Sequence, residues 1–578
     1  SVDFQFAISV SDNASFFNVQ QKGEGLTKAA DFLLKADNNT TGTKPSRTAL
    51  QIARDSLEQG IGAYDLTKRY EQADQLFRNT KEYMEQNNLT GEIVYLRTLS
   101  NIGLVSLTRG RINEADSFIV KSLAVSEEML GKKSAAYIAN RNNYAKLAQT
   151  TGNYNQAERD FDEALSLADA LFGESMQKAI VLNNKAMLFQ AVGRFDEASA
   201  LMQKAIQAAS SKTGGKKLLF GGFDNRKFKV NLAYIYQVSG NYTGAEKIFV
   251  ELKKEYETSG TARNADYASL INQMGILYIQ MGKPEQVEAL LKKAKEIYKA
   301  RYTEDNVYYA KVCNDLGNFY RMNNRYEEAA KELNKALSIN ESLLGLKHPD
   351  YVRTQENLAI LYWKTNKHEQ AYMMYRDVMD KTIDFINQYF PPMSEAEKTS
   401  YWDVTAPRFQ RFYSFALEVN PAMPYVAQDF YDYQMATKAL LLNSTSKVKE
   451  SILKSNNESL IKDYLSWLDQ KEQLARLYTL SKEELKQQKI NLAELERAAN
   501  AAEKSLSEKS TEFSQGYSTQ KISYKQILGL LTDTEAVVDI IRVRGFVQDF
   551  TGESKYVALI LKKGMEMPNL VVLDNGAD

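Results

Sequence analysis

Cysteine and histidine, which are common in nucleophilic dyads and zinc sites, are scarce in this sequence. The 578 residues include one cysteine, Cys313, and two histidines, His348 and His368. One cysteine excludes a disulfide within the chain, and three such residues cannot build a Cys/His zinc cluster. Carboxylates are plentiful and could catalyse alone, but we find no glycine-rich phosphate loop, no metal-ligand spacing and no activated nucleophile. We therefore expect no catalytic residues, no metal and no cofactor.

Hydrogen-bonding chemistry is better represented, because amide and acid side chains recur at even spacing. We call this set the amide row, and it comprises Asn101, Asn143, Asn184, Asn231, Gln273, Asp315 and Asn357. A carboxamide offers a donor and an acceptor, which is what a peptide main chain needs. Basic residues stand four positions earlier, at Arg97, Lys227, Lys311 and Arg353. Together they would favour an acidic or carboxylate-bearing peptide. In the alternative interpretation, these amides pair with neighbouring helix backbones or with water.

A repeat of about 42 residues positions this row. The phrase Gly-x-aromatic-x-x-Ala occurs at 152–157, 193–198 and 240–245, and the small residue at its final place is taken as the anchor of every unit. The anchors are Ala73, Ala115, Ala157, Ala198, Ala245, Val287, Ala329 and Ala371. Successive anchors are 42, 42, 41, 47, 42, 42 and 42 residues apart, and each member of the amide row stands fourteen residues before its anchor. Eight units at this period predict a solenoid whose units bury apolar faces against their neighbours.

Each unit contains two helical patterns. In the third unit, the first helix is predicted over 137–150 and the second over 154–172, each followed closely by glycine. Small residues also stand twelve positions before the anchors, at Gly103, Ala145, Ala186, Ala233, Gly275, Gly317 and Ala359. Small residues on both helices at a fixed offset indicate a tight helical hairpin, so we assign them to the core. The 47-residue interval places a longer loop at 213–223.

These features resemble the tetratricopeptide repeat over roughly residues 50–385. The resemblance rests on the small residues, on the aromatic residues Tyr236, Tyr278, Tyr320 and Tyr362, and on the Gly-x-aromatic-x-x-Ala phrase. The usual period is 34 residues. The longer period, and the stretch GLKHPDYVRTQENLAILYWKTNKHEQA at 345–371, are similar to the repeats of kinesin light chains. The resemblance implies that the amide row faces a concave groove, where such carboxamides commonly bind the main chain of an extended peptide.

Composition excludes several classes of partner. The chain has 73 basic and 73 acidic side chains, so no broad positive field favours nucleic acid or anionic membrane. The sequence contains no run of 18 or more apolar residues, so we predict no membrane span. We expect a soluble protein, and the single cysteine is compatible with the cytoplasm or the periplasm.

The repeat period ends near Asp380. The prolines Pro391, Pro392 and Pro407 predict a junction, and residues 425–514 are helical by composition. A capping box at 481–484 separates two long helices that we expect to form a hairpin, or stalk. A short helix at 523–531 follows. The β-branched runs at 536–543, 555–564 and 570–576 predict three strands.

The tail resembles the start of a CHAT domain, the caspase-like peptidase module commonly found after tetratricopeptide repeats in bacteria. The resemblance rests on TKALLLNSTSKVKESIL at 437–453, LAELERAANAAEKSLSEKS at 492–510, and the helix-then-strand entry ending in EAVVDIIRV. In that family a His and a Cys on later strands carry catalysis. No residue of this chain matches either, because Cys313 and both histidines belong to the repeats.

The sequence thus predicts a mostly all-α protein. We expect an N-terminal helical cap over 1–49, a solenoid of about eight hairpins over 50–385, a helical stalk over 386–514 and an incomplete CHAT-like α/β domain over 515–578. The leading hypothesis is a protein- or peptide-binding arm of a CHAT protease whose catalytic part is absent from this chain. The alternative is a stand-alone adaptor whose terminal strands pair with another chain. An enzyme with its site on the solenoid is the third hypothesis.

Overall fold

The computed structural model describes residues 47–66, 70–109, 111–150, 154–210, 226–389, 395–438, 452–455, 457–477, 488, 490, 492–510 and 523–573. The expected N-terminal cap up to residue 46, the loop at 213–223 and the capping box at 481–484 lie outside these residues, as does most of 437–453. The chain divides into two compact units, with the boundary between Asn357 and Leu358.

Sixteen helices in the described residues form eight successive hairpins, which confirms the predicted solenoid. The first helices of the hairpins, here called A helices, are α1 (Arg47–Ile61), α3 (Ile93–Thr108), α5 (Ala135–Thr150), α7 (Met176–Ala191), α9 (Arg226–Val238), α11 (Ala265–Gln280), α13 (Val307–Met322) and α15 (Pro349–Lys364). The second helices, or B helices, are α2 (Tyr70–Gln86), α4 (Ile112–Leu130), α6 (Tyr154–Phe172), α8 (Phe195–Ser210), α10 (Tyr242–Thr258), α12 (Val287–Tyr302), α14 (Tyr326–Leu344) and α16 (His368–Tyr389).

Small residues let the two helices of a hairpin approach closely. All eight anchors are fully buried. A Cβ atom added at Gly103 would lie 2.6 Å from Ile119 Cγ1, and one at Gly317 would lie 2.6 Å from Leu333 Cγ. A side chain at either glycine would therefore push the B helix away, which is the physical reason for the small residues on the A helices.

The turn inside each of the last five hairpins contains a left-handed residue. Gly193, Gly240 and Gly282 have φ angles of 77°, 84° and 68°, and Asn324 and Asn366 hold the same place in the last two hairpins with 59° and 57°. Glycine and asparagine tolerate this conformation best. The glycine of the repeated phrase is thus a helix-ending residue, and the phrase marks the turn rather than a ligand site.

Polar caps start several A helices. Asn264 accepts a hydrogen bond from the Tyr267 N–H at 2.8 Å, and Asn306 accepts one from the Tyr309 N–H at 2.9 Å. His348 Nδ1 accepts from the Asp350 N–H at 3.2 Å at the start of α15. Such bonds satisfy main-chain donors that the first helical turn leaves unpaired.

The C-terminal unit continues with helices α17 (Glu395–Val419) and α18 (Val426–Thr437). The segment predicted as a proline junction is helical from Glu395, and α17 runs through Pro407. Pro391 and Pro392 lie outside the described residues, and at Pro407 the predicted junction is continuous helix. A proline removes one main-chain donor from a helix but does not end it where packing holds the helix on both sides. Phe409 and Phe412, just after Pro407, are buried and pack against Tyr433 of α18.

The described part of the stalk forms a helical pair. Helices α19 (Glu458–Leu477) and α20 (Leu492–Lys509) pack together through a small apolar cluster that includes Leu460, Tyr464, Trp467 and Leu506. Lys509 and Asp463 form an ion pair of 2.7 Å across the two helices. Of the described residues, Leu506 thus packs between the two helices through the apolar side of α20.

The chain turns to β structure after a short helix, α21 (Tyr524–Leu530). Strands β1 (Ala536–Phe546), β2 (Phe550–Lys562) and β3 (Asn569–Leu573) form an antiparallel sheet in the order β1-β2-β3. This sheet confirms the three predicted strands. Alternate residues of β1 and β2, including Val543 and Leu559, are buried on the side where β1 packs against α17. On the opposite face Val538 and Ile540 are 55% and 59% exposed.

Candidate functional site

The amide row lies along the middle of the A helices. A helices of neighbouring hairpins contact each other directly at α3–α5, α5–α7, α9–α11 and α11–α13. Six of the seven members of the row are buried, and Asn357 is half-buried. The row is therefore held between successive hairpins, and most of its polar atoms are engaged by the neighbouring A helix.

One chain of amides runs through hairpins three to five. Asn184 Nδ2 donates to Asn142 Oδ1 at 2.9 Å, and Asn183 Nδ2 donates to Asn184 Oδ1 at 3.0 Å. Asn231 Nδ2 then donates to Asn183 Oδ1 at 2.8 Å. Each member of the row thus bonds the residue that precedes the row member of the previous hairpin. Linked amides of this kind polarise one another, so a buried chain is stronger than isolated pairs.

A second chain joins hairpins six to eight. Asn272 Nδ2 donates to Asp315 Oδ2 at 3.0 Å, and Asn314 Nδ2 donates to the other oxygen of Asp315 at 3.3 Å. Asn357 Nδ2 donates to Asn314 Oδ1 at 2.9 Å. The two bonds to Asp315 are charge-assisted, which explains how a carboxylate stands in a row of amides without leaving the pattern.

The two chains do not meet. The residue that should bond Gln273 in the fifth hairpin is Val230, which has no polar side-chain atom. Gln273 Oε1, Asn231 Oδ1 and Asn272 Oδ1 are buried and have no hydrogen-bond partner among the described residues. The step from α9 to α11 therefore lacks the side-chain hydrogen bond that most other steps have at this place. Buried polar atoms without partners are uncommon in folded proteins, and each one destabilises the fold.

At the start of the row the register is the same, but the hydrogen bonds are longer or stay within one helix. Asn143 Nδ2 donates to Ser100 Oγ at 3.3 Å, and Asn101 Nδ2 donates to the Arg97 carbonyl oxygen on its own helix at 2.8 Å. The observed partners of the row are thus mostly side chains of the neighbouring A helix. The alternative interpretation, in which the amides pair with neighbouring helices, is therefore close to what is observed, but the partners are side chains and not backbones.

The basic residues beside the row already contact carboxylates of this chain. Arg97 pairs with Glu58 at 3.0 Å, and Lys227 with Asp266 at 3.3 Å. Arg353 lies 3.0 Å from Asp350.

Asp350 also interacts electrostatically with Lys311. Burial of Asp350 opposes its ionisation, but electrostatic interactions with Arg353, His348 and Lys311 outweigh burial and lower its pKa. An acidic ligand would have to compete with these carboxylates for the four basic residues.

Sequence reasoning missed the residues that hold the row. They stand immediately before it in the sequence, and they are Ser100, Asn142, Asn183, Asn272 and Asn314. Their polar character at the same period was available in the sequence. A helix places adjacent residues about 100° apart, so one residue of each pair can face the next hairpin while the other faces the previous one.

A second set of ion pairs joins successive B helices. Each pair links a cation at the turn of one hairpin to an acid just after the anchor of the previous hairpin. The pairs are Arg111–Asp74 (2.7 Å), Arg194–Glu158 (3.0 Å), Lys283–Glu246 (2.7 Å) and Arg325–Glu288 (2.6 Å). Hydrogen bonds from Arg325 and Lys292 lower the pKa of Glu288 to about 2. The second residue of the repeated phrase therefore serves the stacking of hairpins.

Among the described residues, the cysteine and the two histidines form no catalytic arrangement with one another. Cys313 is buried in α13, and burial raises the pKa of its thiol. His348 caps α15, and burial lowers its pKa. In the described part of the chain no group of His, Cys, Asp and Glu could hold a metal ion. A thiol with a raised pKa is a poor nucleophile.

The fold and the row define a helical-repeat protein built from stacked hairpins, a class whose repeats form extended binding surfaces. A tetratricopeptide-repeat model matches residues 94–170, 134–211 and 308–381. The chain therefore contains tetratricopeptide repeats, which support a role as a protein-binding scaffold.

Comparison with known proteins gives relatives of the kinesin light chain type. The chain is 22% identical to Protein KINESIN LIGHT CHAIN-RELATED 3 of Arabidopsis thaliana over 308 residues, 50% of this chain and 46% of that protein. It thus spans less than half the length of that relative.

Among solved structures, BtubC (BKLC) from P. vanneervenii is 19% identical, with a TM-score of 0.31 over 42% of this chain and 90% of that one. A Rap conjugation gene regulator of plasmid pLS20 in complex with the Phr* peptide is 13% identical, with a TM-score of 0.38 over 58% of this chain and 96% of that one. Separately, none of the helices in the described ranges has the length and apolar character needed to cross a membrane.

Proposed function

We propose that this chain binds a protein or peptide through its A helices and acts as the recognition and regulatory arm of a CHAT-type caspase-like cysteine protease. The observation that most supports binding is the single register of the amide row through seven hairpins. Equivalent positions of successive units form one continuous face, and solenoids use such faces to hold extended partners. The contacts to a partner come from those atoms of the row that the neighbouring hairpin leaves available.

The C-terminal unit supports the protease part of the proposal. Its helices lead into a sheet with one open face, where Val538 and Ile540 stand on β1 and Val571 stands exposed on β3. A sheet normally buries its apolar face against another layer. In the proposed protein, the rest of a caspase-like domain provides that layer. It also provides the catalytic His and Cys, since the chain's own Cys313 is a buried core residue.

The partner segment is proposed to carry acidic groups. Its carboxylates would replace Glu58, Asp266 and Asp350 beside the basic residues of the A helices. Because such an exchange trades one ion pair for another, the acidic groups contribute selectivity and speed of association more than affinity. Binding should therefore weaken as salt rises, mainly through slower association.

A stand-alone adaptor is the second candidate function. The same open face favours it, because the three strands could accept a strand or an apolar surface from another chain. In that case the solenoid binds one partner and the sheet binds another, with no protease in either the chain or its gene.

Reading the coding DNA past the codon for Asp578 separates the two candidates. Further alternating strands and helices, with a His and a Cys each placed just after a strand, would support the protease arm. A stop codon directly after Asp578 would overturn it in favour of the adaptor. The binding role is tested by panning a displayed library of random short peptides on this chain, and a library that yields no enriched sequence would contradict it.

A further inference from the structure

The outer edge of β3 is the open side of the C-terminal sheet. β3 pairs with β2 on one side and, among the described residues, with no strand on the other. Its five residues include no charged residue and no proline, which are the residues that commonly protect an edge strand from further pairing. The opposite edge of the sheet differs, because Gln410 already bonds the main chain of β1 at Arg542 and Arg544. A further strand can therefore join the sheet at β3.

The side chains of β3 are exposed on both faces of the sheet. Val571 and Val572 point to opposite faces, and they are 38% and 43% exposed. Val557, the partner of Val572 on β2, is fully buried on the side of the sheet where β1 packs against α17. The buried layer on this side thus ends at β3 with an apolar side chain in contact with solvent. A strand added beyond β3 would extend the layer and bury Val572.

One segment of this chain has the sequence of a matching strand. Residues 2–10, VDFQFAISV, lie outside the described residues, and they alternate between large apolar side chains and polar or small ones. The apolar members are Val2, Phe4, Phe6, Ile8 and Val10. A two-residue period of aromatic and β-branched side chains is typical of a half-buried β-strand, and it does not suit the helical cap expected for residues 1–49.

We propose that residues 2–10 form a fourth strand that pairs with the outer edge of β3 and places its apolar side chains on the face of Val572. There they cover Val572 and prolong the buried layer of β2. On the other face Asp3, Gln5 and Ser9 remain in water. The inference is independent of the proposed protease, whose remaining domain is proposed to cover the open face of the sheet and not this edge.

The chain is long enough for the segment to reach its own sheet. Residues 11–46 separate the segment from α1, and a stretch of that length spans up to about 120 Å when it is extended. Eight stacked hairpins whose neighbouring helices lie about 8–10 Å apart extend about 60–80 Å. A tethered segment also has a high effective concentration at the edge, which favours it over the same segment of another molecule.

Pairs of engineered cysteines in the whole chain test the pairing. Val572→Cys is combined in turn with a cysteine at an apolar position of the segment or, as a matched control, at a polar position. The second substitutions are Phe4→Cys, Phe6→Cys, Ile8→Cys, and the controls Asp3→Cys and Gln5→Cys. We expect mild oxidation to form a disulfide for at least one apolar position and for neither control, because only side chains on the same face of adjacent strands come close enough. The native Cys313 is buried.

The size of the cross-linked product identifies the occupant of the edge. A product of monomer size, whose mobility changes on reduction, would support pairing within one chain. Cross-linked dimers alone would overturn the proposal in favour of a second copy. The absence of a disulfide at every position would overturn the pairing itself, and equal cross-linking of apolar and polar positions would overturn the alternation that a strand requires.

Amide exchange in β3 provides a measurement without cysteines. Successive N–H groups of a strand point to opposite sides, so one of Gln5→Pro and Phe6→Pro should remove a hydrogen bond to β3. We expect that variant to speed exchange in β3 by about tenfold. Thr43→Pro lies outside the alternating run and is the matched control, which should leave exchange in β3 unchanged. Equal exchange rates in all three variants and in the unaltered chain would contradict the pairing.

Discussion

Asn184 donates a 2.9 Å hydrogen bond to Asn142, a residue 42 positions earlier and one hairpin away. The separation of the two residues equals the repeat length, and the bond fixes the register in which one A helix stacks on the previous one. It also shows that a row predicted to bind a peptide uses many of its polar atoms to hold the hairpins together.

The bond predicts a stability coupling between the two asparagines. Asn184→Ala and Asn142→Ala should each lower the free energy of unfolding by about 1–3 kcal/mol, because each leaves a buried polar group unpaired. The double variant should cost less than the sum, with a coupling of about 0.5–3 kcal/mol. Urea denaturation of the four proteins measures this. Additive losses would show that the two side chains act independently.

Close helix approach predicts a steric effect at Gly317. Gly317→Ala should lower the free energy of unfolding by about 1–3 kcal/mol, because the new Cβ would lie 2.6 Å from Leu333 Cγ and 3.2 Å from the Ala329 carbonyl oxygen. Gly62→Ala is the control, since nothing lies within 4 Å of its Cβ position. Equal urea midpoints for the two variants would argue against tight packing at Gly317.

Much of this architecture follows from the sequence, and the exceptions have physical causes. The period and the small residues predict eight hairpins because the same packing must recur in each. The helix through Pro407 was not predictable from proline alone, since tertiary packing on α18 decides the outcome. The partners of the amide row were also missed, because a residue's spacing gives its helix face but not which neighbour that face meets. Peptide binding by the row remains a prediction.

The ion pair between Arg325 and Glu288 predicts a pH dependence. The pKa of Glu288 is lowered from 4.5 to about 2, so its stabilising effect is present above the unfolded-state pKa and is lost as pH falls through the folded-state value. Glu288→Gln should lower stability at neutral pH by up to about 1 kcal/mol, since the side chain is 29% exposed. The difference in melting temperature should shrink between pH 4.5 and pH 2.

A neighbouring acid provides the control for this pH effect. Glu285→Gln alters an exposed side chain three residues earlier and should leave stability nearly unchanged at every pH. A Glu288→Gln deficit that is constant with pH would mean that the carboxylate's charge is irrelevant.

The C-terminal unit contains a fully buried ion pair. Lys398 Nζ lies 3.7 Å from Glu503 Oε1, and both side chains are almost completely inaccessible. Lys398→Met alone should lower stability by about 3–5 kcal/mol, because it leaves a buried carboxylate without its counter-ion. Combining it with Glu503→Leu should restore stability or exceed the original. Guanidinium denaturation decides, and a double variant as weak as the single would contradict the pairing.

The side chain of Gln410 forms hydrogen bonds with the main chain at the outer edge of β1. Gln410 of α17 accepts from the Arg544 N–H at 2.9 Å and donates to the Arg542 carbonyl oxygen at 3.4 Å, which imitates the bonds of a neighbouring strand. Gln410→Ala should speed amide exchange around Arg544 and promote self-association through the exposed edge. Exchange mass spectrometry and sedimentation measure the two effects.

The control for the strand edge is another polar residue of the same helix. Asp403→Asn should change neither amide exchange nor association, because Asp403 is exposed and far along α17 from Gln410. Faster exchange in both variants would attribute the effect to loosening of the helix.

The range of the hydrogen bonds has a consequence for how the chain acquires its structure. In the solenoid the linking bonds span 42 to 48 residues, so each hairpin can settle on the previous one as soon as it leaves the ribosome. The contacts of Gln410 with β1 span 132 and 134 residues. Bonds of such separation form slowly, because a long stretch of chain must first be brought together. The repeats should therefore fold in the order of their synthesis, and the sheet should dock on α17 in a later step.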